Sequence, residues 1–576
     1  MAYTAQFPIS SFLDVDGKPL ENGYVYIGTA GLDPVANPQT VYWDAAYTQV
    51  AAQPIRTIGG YPSNNGVRSR IYVNAVDYSI KVTNVNGTDT VPVSLLNASN
   101  VFAANVIFVQ AGAGAVARTV ESKLRDTVSV KDFGAVGNGV ADDTVAIQAA
   151  IDATPVYGTT FFPAGTYIIT ATLNLKSNTG VDGQGATIKA KDAVNFEYMM
   201  LAASKTNVTV KNIRFDANKA NRSAGQNVRF MCLGFTDCDD CTASNVYVEN
   251  ARGYSSIPGV GVAVGGASIR CKIENCTAVN CGDSGANAAD GFFASGESNL
   301  IVGCLATNCT DTGFVIESSN ASGIVGCIAR SCNAGAAITN AVNADKYGNF
   351  ISGVSVFDWN SAVTGGIQIG CPLNTSTGAL YDTVVSDVTV VAVTGGKGTG
   401  PAINLRQTGT PKAVRVTLNN VRIRTASAQG ILVDADQVSI RGCDISGTTN
   451  ACIQFQDGST SNFVAGCQLV GGSFGIITAG NSSLVCESNS MLSQTSYGVY
   501  AFDTSTIVSM FNVVQTPGVN YFGKDVGAAL NLVGSQANNL AINNATGAPP
   551  AGALVDKFVV TDANGTPLGY VPVYNA

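Results

Sequence analysis

The hydrophobic pattern along the chain is short-range and repetitive. From about residue 159 to 535, brief apolar runs alternate with turn residues, and the runs recur. The repeat is plainest in Ile273-Glu-Asn-Cys-Thr-Ala-Val-Asn-Cys281, Ile301-Val-Gly-Cys-Leu-Ala-Thr-Asn-Cys309 and Ile324-Val-Gly-Cys-Ile-Ala-Arg-Ser-Cys332. Cys276, Cys304 and Cys327 correspond, as do Cys281, Cys309 and Cys332, at spacings of 28 and then 23 residues. A second run aligns Cys443, Cys467 and Cys486, spaced 24 and 19 apart, and Gly475-Ile476 recurs as Gly498-Val499 after 23. A sustained period near 23 with strand-like units predicts a solenoid. A unit of two or three short strands cannot bury its own apolar face, so it must stack on its neighbours. Like residues then lie ~4.8 Å apart, one above another.

The flanks break this period. Residues 1–100 read as a small β-domain: Gly23-Tyr-Val-Tyr-Ile-Gly28 is strand-like, Tyr78-Ser-Ile-Lys-Val-Thr83 alternates, and Asn86-Gly87 supplies a hairpin turn. Within 101–126, Gln110-Ala-Gly-Ala-Gly114 reads as a hinge. Val116, Val120 and Leu124 then predict an amphipathic neck helix of two or three turns. Such a helix is marginal alone. It would gain from packing against identical copies around an axis, or from lying on the next domain. Asp142 or Asp143 reads as the N-cap of a single helix that opens the solenoid, which is assigned to 127–535. Residues 536–576, with strand-like 555–560 and 569–574, read as a cap over its open end.

Composition narrows the chemistry. The chain has 576 residues, of which 46% are hydrophobic and only 12% charged, about half the usual ~25%. Its surface must be built from Asn, Ser, Thr and Gly, which suits strands and turns better than helices. There is no histidine, which excludes Ser-His-Asp and Cys-His catalysis, His-ligated zinc and histidine pH switching. A net charge of −8 argues against a nucleic-acid partner. No apolar run approaches the ~18 residues of a membrane helix, and residues 1–10 lack the pattern of a secretory signal. The 15 cysteines are expected to be reduced and buried as small hydrophobes. Cys-x4-Cys is not a usual zinc spacing, so neither metal nor cofactor is expected.

Several of these segments resemble a known family. Val130-Lys-Asp-Phe-Gly-Ala-Val-Gly-Asn-Gly139 with Asp142-Asp-Thr-Val-Ala-Ile-Gln148 is similar to the opening motif of the pectate-lyase-like right-handed parallel β-helix. Phe161-Phe-Pro-Ala-Gly-Thr-Tyr167, Gly180-Val-Asp-Gly-Gln-Gly185 and Asn212-Ile-Arg-Phe-Asp216 extend the likeness. Glu21-Asn-Gly-Tyr-Val-Tyr-Ile-Gly28, with Asp33-Pro34, Val41-Tyr-Trp-Asp44 and Gln53-Pro-Ile55, resembles the virion-anchoring domain of podovirus tailspikes. Ala117-Arg-Thr-Val-Glu-Ser-Lys-Leu-Arg125 resembles their neck. The combination implies an all-β chain: a small N-terminal β-domain, a short helical neck and a parallel β-helix. It further implies a homotrimeric bacteriophage tailspike, made in the host cytoplasm and carried in the virion tail. Residues 1–100 would hold tail or adaptor proteins, and the β-helix would meet a bacterial surface polysaccharide.

With histidine absent, two-carboxylate glycoside hydrolysis is the natural cleavage mechanism. Acids on the middle rungs are Glu249, Asp283, Asp290, Glu297, Asp311, Glu317, Asp345 and Asp358. Asn287-Ala-Ala-Asp-Gly-Phe292 and Cys309-Thr-Asp-Thr-Gly-Phe314 are similar to two consecutive motifs of polygalacturonases, which share this fold. That resemblance makes Asp290 and Asp311 the catalytic pair. It departs at Cys332-Asn-Ala-Gly-Ala-Ala-Ile338, which lacks the family's Gly-His-Gly. Asp-Gly before a strand is also a common turn signature, so turn aspartates stay the competing reading. If Phe292 and Phe314 stack, the two acids are offset by one residue. A diagonal pair lies ~7 Å apart, inside the ~6.5–9.5 Å range that admits a water and implies inversion. Trp359 beside Asp358 is a candidate sugar platform, with Asp358 and Glu317 as further substrate contacts. Gly259-Val-Gly261 reads as a bulge or turn. Three functional readings stand: a polysaccharide-cleaving tailspike, a binding-only tailspike adhesin, and a polysaccharide lyase with a Tyr or Lys base and calcium.

Overall fold

The computed structural model describes residues 3–4, 11–74, 77–94, 106–221, 228–283, 287–361, 364–370, 377–392, 398, 400–406, 412–424, 429–515, 520–525, 527–533, 540–542, 554–561 and 567–574. The chain divides into two compact units at the Asp126–Thr127 junction.

The second unit is a parallel β-helix. Each turn contributes one short strand to each of three sheets, of 16, 15 and 15 strands. The pairing within these sheets is parallel: Ile273 stands over Ile301 in the first sheet, Ala278 over Ala306 in the second, and Phe292 over Phe314 in the third. The strands are short because a turn residue with positive φ recurs at two corners of the middle rungs. Between the first and second sheets this residue is Asn245, Asn275, Gly303, Gly326, Gly353 and so on. Between the second and third it is Asn250, Asn280, Asn308, Ser331 and Asp358. Asn and Gly tolerate that left-handed conformation best. The third sheet runs to Leu540–Ile542, past residue 535. An antiparallel hairpin, Leu554–Thr561 with Pro567–Tyr574, follows.

The interior is one continuous apolar column. Fourteen described cysteines are free thiols, and all are buried; Cys371 lies outside the described residues. Their role goes beyond apolar filling. At the first corner the backbone N–H of Val246, Cys276 and Cys304 donates inward to the Sγ of Cys276, Cys304 and Cys327, at 3.3–3.4 Å. Asn299, Ser322 and Asn349 accept the inward amides at the third corner in the same way. A buried amide needs an acceptor, and a thiol supplies a weak one without adding a strongly polar group.

The first rung is covered by the helix Thr144–Ala153, with Ile147, Ala150 and Ile151 buried. The two aspartates before it divide the work: Asp142 Oδ1 accepts from the Thr144 N–H, while the buried Asp143 accepts from Val136 and Gly137.

The first unit holds a six-stranded and a four-stranded antiparallel sheet around its own core. Tyr24–Thr29 pairs with Tyr78–Thr83, and the Asn86-Gly87 turn carries the chain back. The neck differs from the sequence expectation. The helix is only Val120–Leu124, capped by the Thr119 hydroxyl, and Val116 lies outside it. Residues 118–119 instead pair as an extended strand with 107–108, which stops the helix from starting earlier. None of its residues is buried, and Val116 and Leu124 are 81% and 65% exposed.

Candidate functional site

The third sheet differs from the other two at its start. Its strands open with an outward residue and then place two consecutive side chains inward. The first inward position is a glycine column: Gly261, Gly291, Gly313 and Gly335. A Cβ on Gly291 would lie 2.6 Å from the Gly313 carbonyl oxygen, and one on Gly313 would lie 2.7 Å from that of Gly335. Only glycine fits so close an approach. The second inward position carries Phe292 and Phe314, whose rings stack at 5.4 Å and 5°. Gly259-Val-Gly261 is therefore part of a strand, Gly259–Gly265, rather than a bulge or turn.

This arrangement turns Asp290 and Phe293 outward, onto the floor of a groove of about 580 Å³. The groove crosses eight successive strands of the third sheet, from Tyr198 to Asn404. Seven steps of ~4.8 Å make it about 34 Å long. Its composition is graded along the axis. Tyr198, Met231, Val260 and Ala263 give one end an apolar cluster that reaches Phe293, with Arg229 and Thr236 alongside. Asp290, Asp311 and Glu317 occupy the middle. Thr339, Thr364, Gln368, Asn404 and Arg406 make the far end polar. Ile257 and Pro258 form part of the wall. The Cys281–Asp290 loop, expected to wall it, lies partly outside the described residues at 284–286.

Asp290 is the most buried of the groove's acids, with 6% exposure. Its Oδ1 accepts the Thr312 N–H at 2.9 Å. Burial pushes its pKa well above the usual carboxylate range, and the neighbouring charges of Asp311 and Glu317 push it further, against the pull of the Thr312 amide. Asp311 directly precedes Thr312, so it stands one residue off Asp290 on the next rung. Its pKa is raised by burial and held back by the Thr312 side chain. Glu317 is raised by burial and held back by Thr339. Burial raises all three carboxyls, and Asp311 and Glu317 raise Asp290 further, so Asp290 is the group best suited to keep a proton and deliver it to a bound molecule.

Asp290, Asp311 and Glu317 thus line one groove. The remaining two substrate-contact assignments need correction. Trp359 is fully buried. It follows the corner residue Asp358, as Cys281, Cys309 and Cys332 follow theirs, and so points into the core. Its ring lies against Gly366 and Gly398, which leave room for it. Asp358 is that corner's positive-φ residue, at 56°, and does not line the groove. The other acids are engaged elsewhere: Glu249 bridges Arg214 at 2.6 Å, and Asp283 bridges Arg252 at 2.9 Å. The aromatics that do reach the groove, Tyr198 and Phe293, were not singled out from sequence. Neither was Arg406. Parity along the third-sheet strand, counted from the glycine column, was the signal that marks Phe293.

Among the described residues no group of three or more Cys, Asp or Glu is arranged to hold a metal ion. No described helix is long and apolar enough to cross a membrane.

Residues 127–337 match the family model described as rhamnogalacturonase A/epimerase, pectate lyase-like, and residues 373–546 match a right-handed β-helix region. The mannuronan C5-epimerase AlgE1 of Azotobacter vinelandii is 35% identical over 150 residues, covering 23% of this chain and 11% of that protein. The tail spike protein of Shigella phage Sf6 is 26% identical over 251 residues, covering 37% of this chain and 40% of the relative. The pre-neck appendage protein of Bacillus phage phi29 is 30% identical over 200 residues, covering 30% and 22%. The chain therefore spans less than half the length of these relatives. The tailspike of E. coli bacteriophage HK620 superposes with a TM-score of 0.52 at 16% identity, over 75% of this chain and 84% of that one. The chain is a right-handed parallel β-helix of the pectate-lyase-like kind, and its homologues are phage tailspike and preneck appendage proteins.

Proposed function

We propose that this chain is a virion tailspike whose third-sheet groove binds a bacterial surface polysaccharide and hydrolyses it. Asp290 is the general acid, and Asp311 is the carboxylate that activates water. The observation that carries this reading is the buried, proton-retaining Asp290 on the floor of a long groove, beside two further carboxyl groups. An acid whose pKa is raised protonates a leaving oxygen at neutral pH, while a less buried partner stays ionised as base. The groove's length suits a chain of sugars, and the apolar faces of Tyr198 and Phe293 suit pyranose rings. The homology to the Sf6 tail spike protein supports the setting. The exposed apolar residues of the neck support assembly into a homotrimer, with residues 1–100 as the tail attachment.

Purified capsule, O-antigen and exopolysaccharide, incubated with the protein, test this directly. New reducing ends without an ultraviolet-absorbing product support hydrolysis. An unsaturated uronate would replace it with a lyase. Binding with no shortening would leave an adhesin. Light scattering that found a stable, active monomer would end the trimer proposal.

A further inference from the structure

Beyond the acids, the polar end of the groove is unusual for what it leaves unsatisfied. Thr339 is 6% exposed, and its Oγ1 has no hydrogen bond of standard geometry, with Glu317 drawing on it only loosely. Thr364 Oγ1 is likewise buried without a partner. Both line the groove. Arg406 lines it too. Among the described residues the groove's cations are Arg229 and Arg406. Arg229 is bridged to Glu197 at 2.8 Å. Arg406 has no ion-pair partner among the described residues and is exposed.

The register brings Thr339 and Arg406 into one column, whereas Thr364 stands six positions before Gly370 along the chain. Glu317 stands over Thr339, and Thr339 over Gly370. The next strand continues with Gln368 over Asn404, which brings Arg406 into the Gly370 position one rung on. Glu317, Thr339, Gly370 and Arg406 therefore form one outward column. Gly370, which carries no side chain, stands between Thr339 and Arg406 in that column. Buried hydroxyls without partners cost free energy unless a ligand satisfies them. A guanidinium next to such hydroxyls is the donor set for a carboxylate.

We propose that the stretch of groove between Thr339 and Arg406 is a subsite for an anionic sugar, held through its carboxylate by Arg406 with Thr339 as a neutral donor. The inference rests on the polysaccharide reading above and names its substrate class: a polymer carrying uronic or other carboxylated sugars. It also accounts for how a net-negative chain with three acids at mid-groove retains a polyanion. The anionic unit sits two rungs, about 10 Å, from Glu317.

The test is binding of the full chain to an immobilised panel of purified bacterial surface polysaccharides, half carboxylated and half neutral, with carboxyl-reduced counterparts of those bound. Bound polymers should be carboxylated, and reduction to the alcohol should weaken them about tenfold or more. Arg406→Gln should weaken the native polymer to the same extent, leave the reduced polymer unchanged and flatten the salt dependence. Thr339→Val should weaken the native polymer less. Equal affinity for native and reduced polymer, or tight binding of a neutral one, would overturn the anionic subsite and leave the polysaccharide reading standing. No binding to any member would overturn both.

Discussion

Two acid–aromatic pairs in this chain look alike in sequence and have opposite fates. Asp290-Gly-Phe292 lies at the start of a third-sheet strand, and Asp358-Trp359 lies at the corner before one. In the first, the glycine lets two successive positions turn inward, which throws the acid out into the groove. In the second, the acid takes the positive-φ corner and the aromatic ring takes the core. Position within the rung, rather than residue type, decides which pair does chemistry. A corner aspartate keeps its carboxyl in solvent-facing turns, where its job is backbone conformation. A strand-opening aspartate is desolvated and acquires the raised pKa that proton transfer needs.

The contrast is broken most forcefully by exchanging each acid for its amide. Asp290→Asn should lose ~10²-fold or more in turnover, with binding and assembly intact, because Asn keeps the size and the acceptor for the Thr312 amide. Asp311→Asn should fall by a similar factor. Asp358→Asn should change turnover less than about twofold, since Asn is at home in the left-handed conformation. Reducing-end release from whichever polysaccharide is cleaved reads all three. Full activity in both Asp290→Asn and Asp311→Asn would remove these acids from the mechanism.

The aromatic partners give the complementary contrast. Trp359→Ala should destabilise by about 3–5 kcal/mol through the cavity it leaves, with unchanged turnover per folded molecule. Phe293→Ala, on the groove floor, should barely move the melting transition yet weaken polysaccharide binding. Calorimetry and binding on the same two variants separate a core residue from a platform.

A third test uses pH. Asp290, Asp311 and Glu317 all bind protons more tightly folded than unfolded. Their contribution to stability is therefore fully present below the unfolded carboxylate values and is lost as pH rises through the raised folded ones. Asp290→Asn removes the largest part of that loss. Its melting temperature should exceed the parent's at neutral pH, by on the order of 1–3 kcal/mol in stability, and converge with it in acid. Parallel curves across the whole range would mean that Asp290 is not held protonated.

Much of this architecture could be read from the chain. The recurrence of Cys276, Cys304 and Cys327 gave the rung period because identical corners need identical small inward residues. The Phe292–Phe314 alignment placed Asp290 and Asp311 on adjacent rungs because parallel register carries equivalents over one another. Trp359 was legible by the same logic: it stands 27 residues after Cys332 in the same corner column. Its aromatic character suggested a platform where its column dictated a core. The neck helix was overestimated because four-residue spacing cannot see that residues 118–119 pair with 107–108. Arg406 and Thr339 were out of reach, because their convergence depends on which strand faces which, across residues whose spacing varies from rung to rung.

The smallest effect tests the inner face of the corner. Val246, Cys276, Cys304, Cys327, Val354, Val388, Val421 and Cys443 each follow a positive-φ residue at the corner between the first and second sheets. Valine and cysteine thus alternate in one buried column. The long 3.3–3.4 Å amide–thiol contacts are weak enough for valine to replace them. Cys304→Ala should cost about 1 kcal/mol, from a small cavity and a poorly satisfied Cys276 amide. Cys304→Val refills the space and should fall within about 0.5 kcal/mol of the parent. A native disulfide between Cys276 and Cys304, or between Cys304 and Cys327, would appear in non-reducing mass spectrometry and would overturn the thiol ladder. A Cys304→Val variant as damaging as Cys304→Ala would instead show that the amide–thiol contact outweighs packing at this corner.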